Sequence, residues 1–103
     1  MKYGLADTAW EKLQNLFALH DKIRQVILYG SRAKGNYKPF SDVDIVLTGD
    51  ELTQQDLNRI VLEVDDLLLP YQFDIAIFQN LTNPELIDHI RRRGIVIYDK
   101  SKT

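Results

Sequence analysis

The 103-residue chain has no cysteine, which excludes disulfides and thiolate metal sites. It also lacks any uncharged apolar run approaching the ~18 residues that would span a membrane. Its opening residues, Met1–Lys2–Tyr3–Gly4, start no apolar targeting segment, so the cytoplasm is the expected location. Charge of one sign is scarce too. Thirteen Lys and Arg against fifteen Asp and Glu leave a formal charge of −2. Sequence-independent nucleic-acid binding draws on many Lys/Arg–phosphate contacts, so a nucleic-acid partner is not expected. Repeats, low-complexity segments and internal linkers are absent. What is present is an ordinary globular composition, 45% hydrophobic and 27% charged, on a length that reads as one domain over residues 1–103.

Hydrophobic spacing predicts alternating helices and strands. Trp10, Leu13, Leu16, Phe17 and His20 recur at helical intervals behind Asp7, which reads as an N-cap for a helix to about His20. Val26–Ile27–Leu28–Tyr29 is a short apolar strand stopped by Gly30. A polar, basic stretch from Ser31 to Phe40 follows, with Gly35 and Pro39 as punctuation and room for a short helix. In the second strand, Ser41 to Leu47, the residues Val43, Ile45 and Leu47 alternate with Asp42 and Asp44. Thr53 and Asp56 form a capping-box pattern for a helix to about Leu69, ended by Pro70, with an apolar stripe of Leu57, Ile60, Val61, Val64, Leu67 and Leu68. Tyr71 to Phe78 reads as a third strand. Asn83–Pro84 opens a last helix that Arg91–Arg92–Arg93 and Gly94 close, before a final strand Ile95–Tyr98. The expected architecture is an α/β (α+β) layer fold, a mixed sheet of about four strands with flanking helices.

The chemistry concentrates in Gly30–Ser31–Arg32–Ala33–Lys34–Gly35 and Ser41–Asp42–Val43–Asp44. Strand residues two apart share a face, so Asp42 and Asp44 present their carboxylates together while Val43, Ile45 and Leu47 face the core. Two such charges repel unless a cation lies between them, and hard divalent ions such as Mg²⁺ accept all-oxygen ligands. Gly30 lets a ligand approach the backbone. Free N–H groups at the start of the following helix, with the Ser31 hydroxyl, attract phosphate. Arg32 and Lys34, with Lys38 nearby, are cations able to neutralise a polyphosphate. Asp74 is a lone charge in an apolar strand, on the face opposite Phe73, Ile75 and Ile77. If that strand lies beside the first pair, three carboxylates converge, a set suited to two metal ions that clamp the attacking and leaving oxygens.

In that order, a G-S-x-x-x-G segment, an S-D-x-D-I segment and a later strand aspartate resemble the polymerase-β-type nucleotidyltransferases. The likeness is greatest to their minimal (MNT) group. It covers the chain from Gly30 to Asp74 by motif and nearly all of it by element order. Lys34 stands where arginine is common and Ile45 where leucine is common; neither removes a ligand or a donor. The resemblance implies a mixed sheet, ATP as donor, and Mg²⁺, two ions in all, on Asp42, Asp44 and Asp74. It further implies an antitoxin that attaches AMP to a tyrosine of a HEPN-domain toxin, the two forming a hetero-oligomer.

Plainer readings compete. Asp42 and Asp44 alone would fit a solvated strand face, Asp74 an aggregation-blocking edge charge, and Gly30–Ser31 a simple turn. No Walker A loop is present, because Gly35 precedes Asn36–Tyr37. Arg91–Arg93 reads as a helix-end charge run and Asp65–Asp66 as a solvated flank; His20 and His89 read as structural or exposed. The functional alternative to the enzyme is a non-catalytic binding module of the same fold that neutralises or scaffolds a partner by docking. The three carboxylates favour the enzyme, since a docking surface gains nothing from their repulsion.

Overall fold

The computed structural model describes residues 1–102. Helices α1 (Asp7–Ala18), α2 (Ser31–Lys34), α3 (Gln54–Asp66) and α4 (Pro84–Arg93) alternate with strands β1 (Gln25–Tyr29), β2 (Val43–Thr48), β3 (Phe73–Ile77) and β4 (Ile95–Asp99). The four strands form one sheet in the order β3-β2-β1-β4. β1 runs antiparallel to β2 and β4, whereas β2 and β3 are parallel. The sheet is therefore mixed, as expected. No helix among the described residues is long and apolar enough to cross a membrane.

One face of the sheet carries the main core. Val26, Leu28, Val43, Ile45, Leu47 and Ile77 pack there against Leu13, Leu16 and Phe17 of α1 and Ile60 and Val64 of α3. The other face is covered in part by α4. Gly94, at the end of that helix, sits so close to Ile27 that a Cβ would collide with it. Val46 and Ile90 are buried outside the main cluster. β2, central in the sheet, has buried residues on both faces, Val43, Ile45 and Leu47 on one and Val46 on the other.

Several boundaries shift from expectation for local reasons. The N-cap of α1 is Ala6, with Asp7 inside the first turn, where a carboxylate faces the positive end of the helix dipole. The capping box of α3 forms fully: the Asp56 N–H donates to Thr53 Oγ1 at 3.2 Å and the Thr53 N–H to Asp56 Oδ2 at 2.9 Å. That helix ends at Asp66, short of Leu69, because Leu68 turns left-handed at φ 55°. β3 starts at Phe73, as Tyr71 is drawn off to accept a 3.0 Å hydrogen bond from the Ala6 N–H. β2 starts at Val43, so Asp42 lies one residue ahead of the strand.

Candidate active site

Strand pairing decides which carboxylates meet. β2 pairs with β3 so that Asp44 stands directly opposite Asp74, and β1 pairs with β2 so that Tyr29 stands directly opposite Asp44. Cross-strand partners project to the same side of a sheet. Asp74, Asp44 and Tyr29 therefore form one row across three strands, on the face shared with α4. Asp42 follows the Asp44 face at the mouth of β2 and is exposed.

The Asp44 carboxyl is half-buried and accepts no hydrogen bond and makes no ion pair with any described residue. Burial first, then Asp74 and then Asp42, push its pKa above the ordinary carboxylate value. The Tyr29 phenol is pushed up to about 12 by burial, then by Asp44 and Asp74. Both shifts follow from partial burial of Asp44 and Tyr29 beside neighbouring negative charge. The oxygen-only donor set suits Mg²⁺. Among the described residues no group of three or more His, Cys, Asp or Glu is placed to hold a metal ion as it stands.

Gly30 ends β1 at φ 77°, a conformation that side chains disfavour, and the Asp44 carboxylate lies against the site where its Cβ would be. The phosphate-type turn and the aspartate are thus in direct contact. α2 is only four residues long, so its dipole is small and any phosphate contact falls to individual N–H groups and the Ser31 hydroxyl. That hydroxyl is half-exposed and has no partner among the described residues. Lys34 is exposed at the far end of the same helix.

Arg32 goes elsewhere. It is 1% exposed. Its Nε and Nη2 donate to the Ser41 carbonyl at 3.1 and 2.7 Å, and Nη1 donates to the Tyr3 carbonyl at 2.9 Å. The rings of Tyr37 and Tyr71 lie 5.2 and 5.6 Å from the guanidinium. Its fork of donors is spent on backbone carbonyls, and it ties the loop before Asp42 to the N-terminal segment instead of pointing at the row. The structure brings Gly30, Ser31, Asp44 and Asp74 together, leaves Asp42 and Lys34 at the margin, and takes Arg32 inside.

Two residues that sequence spacing did not single out for this site border it. Tyr29 belongs to the row itself. His89 of α4 meets the Tyr29 ring edge-on, with centroids 6.5 Å apart and planes at 77°. A hollow of about 410 Å³ lined by Tyr3, Trp10, Gln14 and Ile97 at the outer edge of β4 holds none of these residues. The row lies outside that hollow, and with Asp74 exposed and Asp44 and Tyr29 half-buried it forms an open shelf.

A mixed sheet bearing paired aspartates beside a glycine–serine turn defines a nucleotidyltransferase-type domain. The family model described as polymerase beta, nucleotidyltransferase, matches residues 11–103, and the chain belongs to that family. A protein of Methanocaldococcus jannaschii, provisionally named a protein adenylyltransferase, is 30% identical over 82 residues, covering 77% of this chain and 83% of that protein. Among solved structures, a chain of a toxin–antitoxin complex with AMP-PNP superposes with a TM-score of 0.71 at 17% identity, over 90% of this chain and 75% of that one. A chain of the complex of tri-AMPylated Shewanella oneidensis HEPN toxin with MNT antitoxin gives 0.66 at 14% identity, over 92% and 73%. At these identities the solved structures establish the shared fold.

Proposed function

We propose that the chain transfers AMP from ATP to a tyrosine hydroxyl of a partner HEPN-type toxin, with Mg²⁺, and so acts as that toxin's antitoxin in the cytoplasm. The observation that carries this reading is the Asp44–Asp74 register beside the Gly30–Ser31 turn. It sets carboxylates with no protein partner against a backbone turn suited to phosphate. The relative named as a protein adenylyltransferase, and the neighbours solved with AMP-PNP and as an AMPylated HEPN toxin complex, support the same chemistry.

In this reading Asp42, Asp44 and Asp74 hold the metal, which when bound neutralises charge on the triphosphate and on the leaving group. The Gly30–Ser31 turn and Ser31 hydroxyl grip phosphate oxygens, and Lys34 adds a mobile cation. Asp74 lies on the strand farther from the turn, where it faces the acceptor and takes the tyrosine proton. The tyrosine oxygen then bonds to the α-phosphorus, the α–β anhydride bond breaks and pyrophosphate leaves. Arg32 holds the loop that delivers Asp42. An open shelf encloses no small acceptor, so a folded partner must bring its own contact surface to position the hydroxyl, which favours a hetero-oligomer.

The test is incubation with Mg²⁺, labelled ATP and a HEPN-type toxin from the same source, followed by mass analysis of the toxin. AMP on a toxin tyrosine that disappears with Asp44→Asn or Asp74→Asn supports transfer. A stable complex with no added mass, unchanged by those substitutions, makes the protein a docking module.

A further inference from the structure

Tyr29 immediately precedes Gly30–Ser31 and completes the row formed by Asp74 and Asp44. Across the sheet the row runs from Asp74 on β3, through Asp44 on β2, to Tyr29 on β1, the strand that continues into the turn. Tyr29 is therefore at the phosphate end of the shelf and Asp74 at the acceptor end. Its ring is half-buried, yet its hydroxyl bonds to no described residue, and no buried polar side-chain atom in the described chain lacks a partner. The hydroxyl thus opens to solvent above the row. A tyrosine hydroxyl is both donor and acceptor, and as an O–H it can donate to a phosphate oxygen. A donor beside carboxylates that does not bond to them is free to meet a ligand oxygen. The ring cannot swing away freely, because His89 on α4 abuts it edge-on.

We infer that the Tyr29 hydroxyl donates a hydrogen bond to a non-bridging oxygen of the bound triphosphate, and that His89 is the positioning residue that holds the ring there. The inference rests on the nucleotidyltransferase reading of this site.

The test is equilibrium titration of the chain with Mg²⁺ and α,β-methylene-ATP, a triphosphate that cannot release AMP. Tyr29→Phe keeps the ring and loses the donor, and is expected to weaken binding about tenfold or more, the usual scale for a hydrogen bond to a charged group. His89→Ala weakens binding in the same direction, whereas His89→Phe, which restores an edge-on ring, stays near wild type. The double variant Tyr29→Phe/His89→Ala binds no more weakly than Tyr29→Phe, because His89 acts only through the hydroxyl. A check independent of variant stability uses carbon-13-labelled tyrosine: the Cζ signal of Tyr29 moves when the nucleotide is added. Wild-type affinity in Tyr29→Phe, or an unmoved Tyr29 signal, overturns the inference and leaves the transferase reading standing. An additional loss from His89→Ala in the Tyr29→Phe background overturns the positioning role. A wild-type chain that binds no Mg²⁺–triphosphate overturns the inference together with the reading beneath it.

Discussion

Gly30 and Asp44 lie so close that a Cβ at position 30 would meet Asp44 Oδ2 and force the carboxylate to shift. The same residue has φ 77°, so a replacement meets both backbone strain and a carboxylate. Gly30→Ala is expected to cost about 1–3 kcal/mol of stability through the strain. It should also displace Asp44 and so weaken Mg²⁺-dependent nucleotide binding. Urea unfolding measures the first effect and nucleotide titration the second. A variant with wild-type nucleotide affinity would separate the turn from the aspartate.

Ser31 offers the turn a hydroxyl that no described residue uses. Ser31→Ala is expected to weaken triphosphate binding by about 1.5–3 kcal/mol, the scale of a hydrogen bond to a charged acceptor. The melting temperature should stay unchanged, because nothing in the fold depends on that hydroxyl. Unchanged affinity would confine the phosphate contacts to backbone N–H groups and Lys34.

Asp44 opposes folding when ionised. Its pKa is raised in the folded chain, so the folded state holds that proton more tightly than the unfolded state. The associated stability is present below the unfolded carboxylate pKa and is lost as pH rises through the raised value. In EDTA at pH 7, Asp44→Asn should therefore melt higher than wild type, and the difference should shrink as the pH is lowered through the carboxylate range. Mg²⁺ should raise the wild-type melting temperature and do little for the variant. Thermal melts with and without Mg²⁺ decide this; a variant that melts lower than wild type in EDTA contradicts it.

Arg32 is a structural anchor, and its loss should appear in folding before it appears in binding. Arg32→Ala leaves the Ser41 and Tyr3 carbonyls without their donors and opens space between Tyr37 and Tyr71. At about 1.5–3 kcal/mol for each hydrogen bond that involves a charge, destabilisation of at least about 3 kcal/mol is expected. Arg32→Lys should recover only part of it, since an ammonium cannot fork to carbonyls on two segments. Denaturant unfolding reads the loss directly. A stable Arg32→Ala variant that fails only in nucleotide binding would return Arg32 to the phosphate site.

Much of the architecture is written locally. Thr53 and Asp56 specify the start of α3 through contacts three residues apart. Asn83 and Pro84 do the same for α4, with the Asn83 side chain accepting from the Glu85 and Leu86 N–H groups. The alternation of Val43, Ile45 and Leu47 with Asp44 fixes which face of β2 enters the core. Each of these depends on neighbours within one helical turn or one strand pleat, so the sequence by itself determined them.

Tertiary structure decided the rest. Period-two alternation tells which face Asp74 occupies but not which strand lies beside it; only the parallel β2–β3 register sets it opposite Asp44. The same holds for Tyr29, which looked like the last apolar residue of a core strand until antiparallel pairing put it opposite Asp44, and for His89, which reaches that ring from α4. Arg32 is the sharpest case. Beside Lys34 in a basic, glycine-bounded segment it reads as a phosphate cation. Its partners, however, are Tyr3, Pro39, Ser41, Tyr37 and Tyr71, up to 39 positions away, and burial among them turned a surface charge into an internal brace. Local pattern constrains the direction in which a side chain leaves the backbone, whereas the group it meets there is set by long-range contacts made when the chain closes on itself.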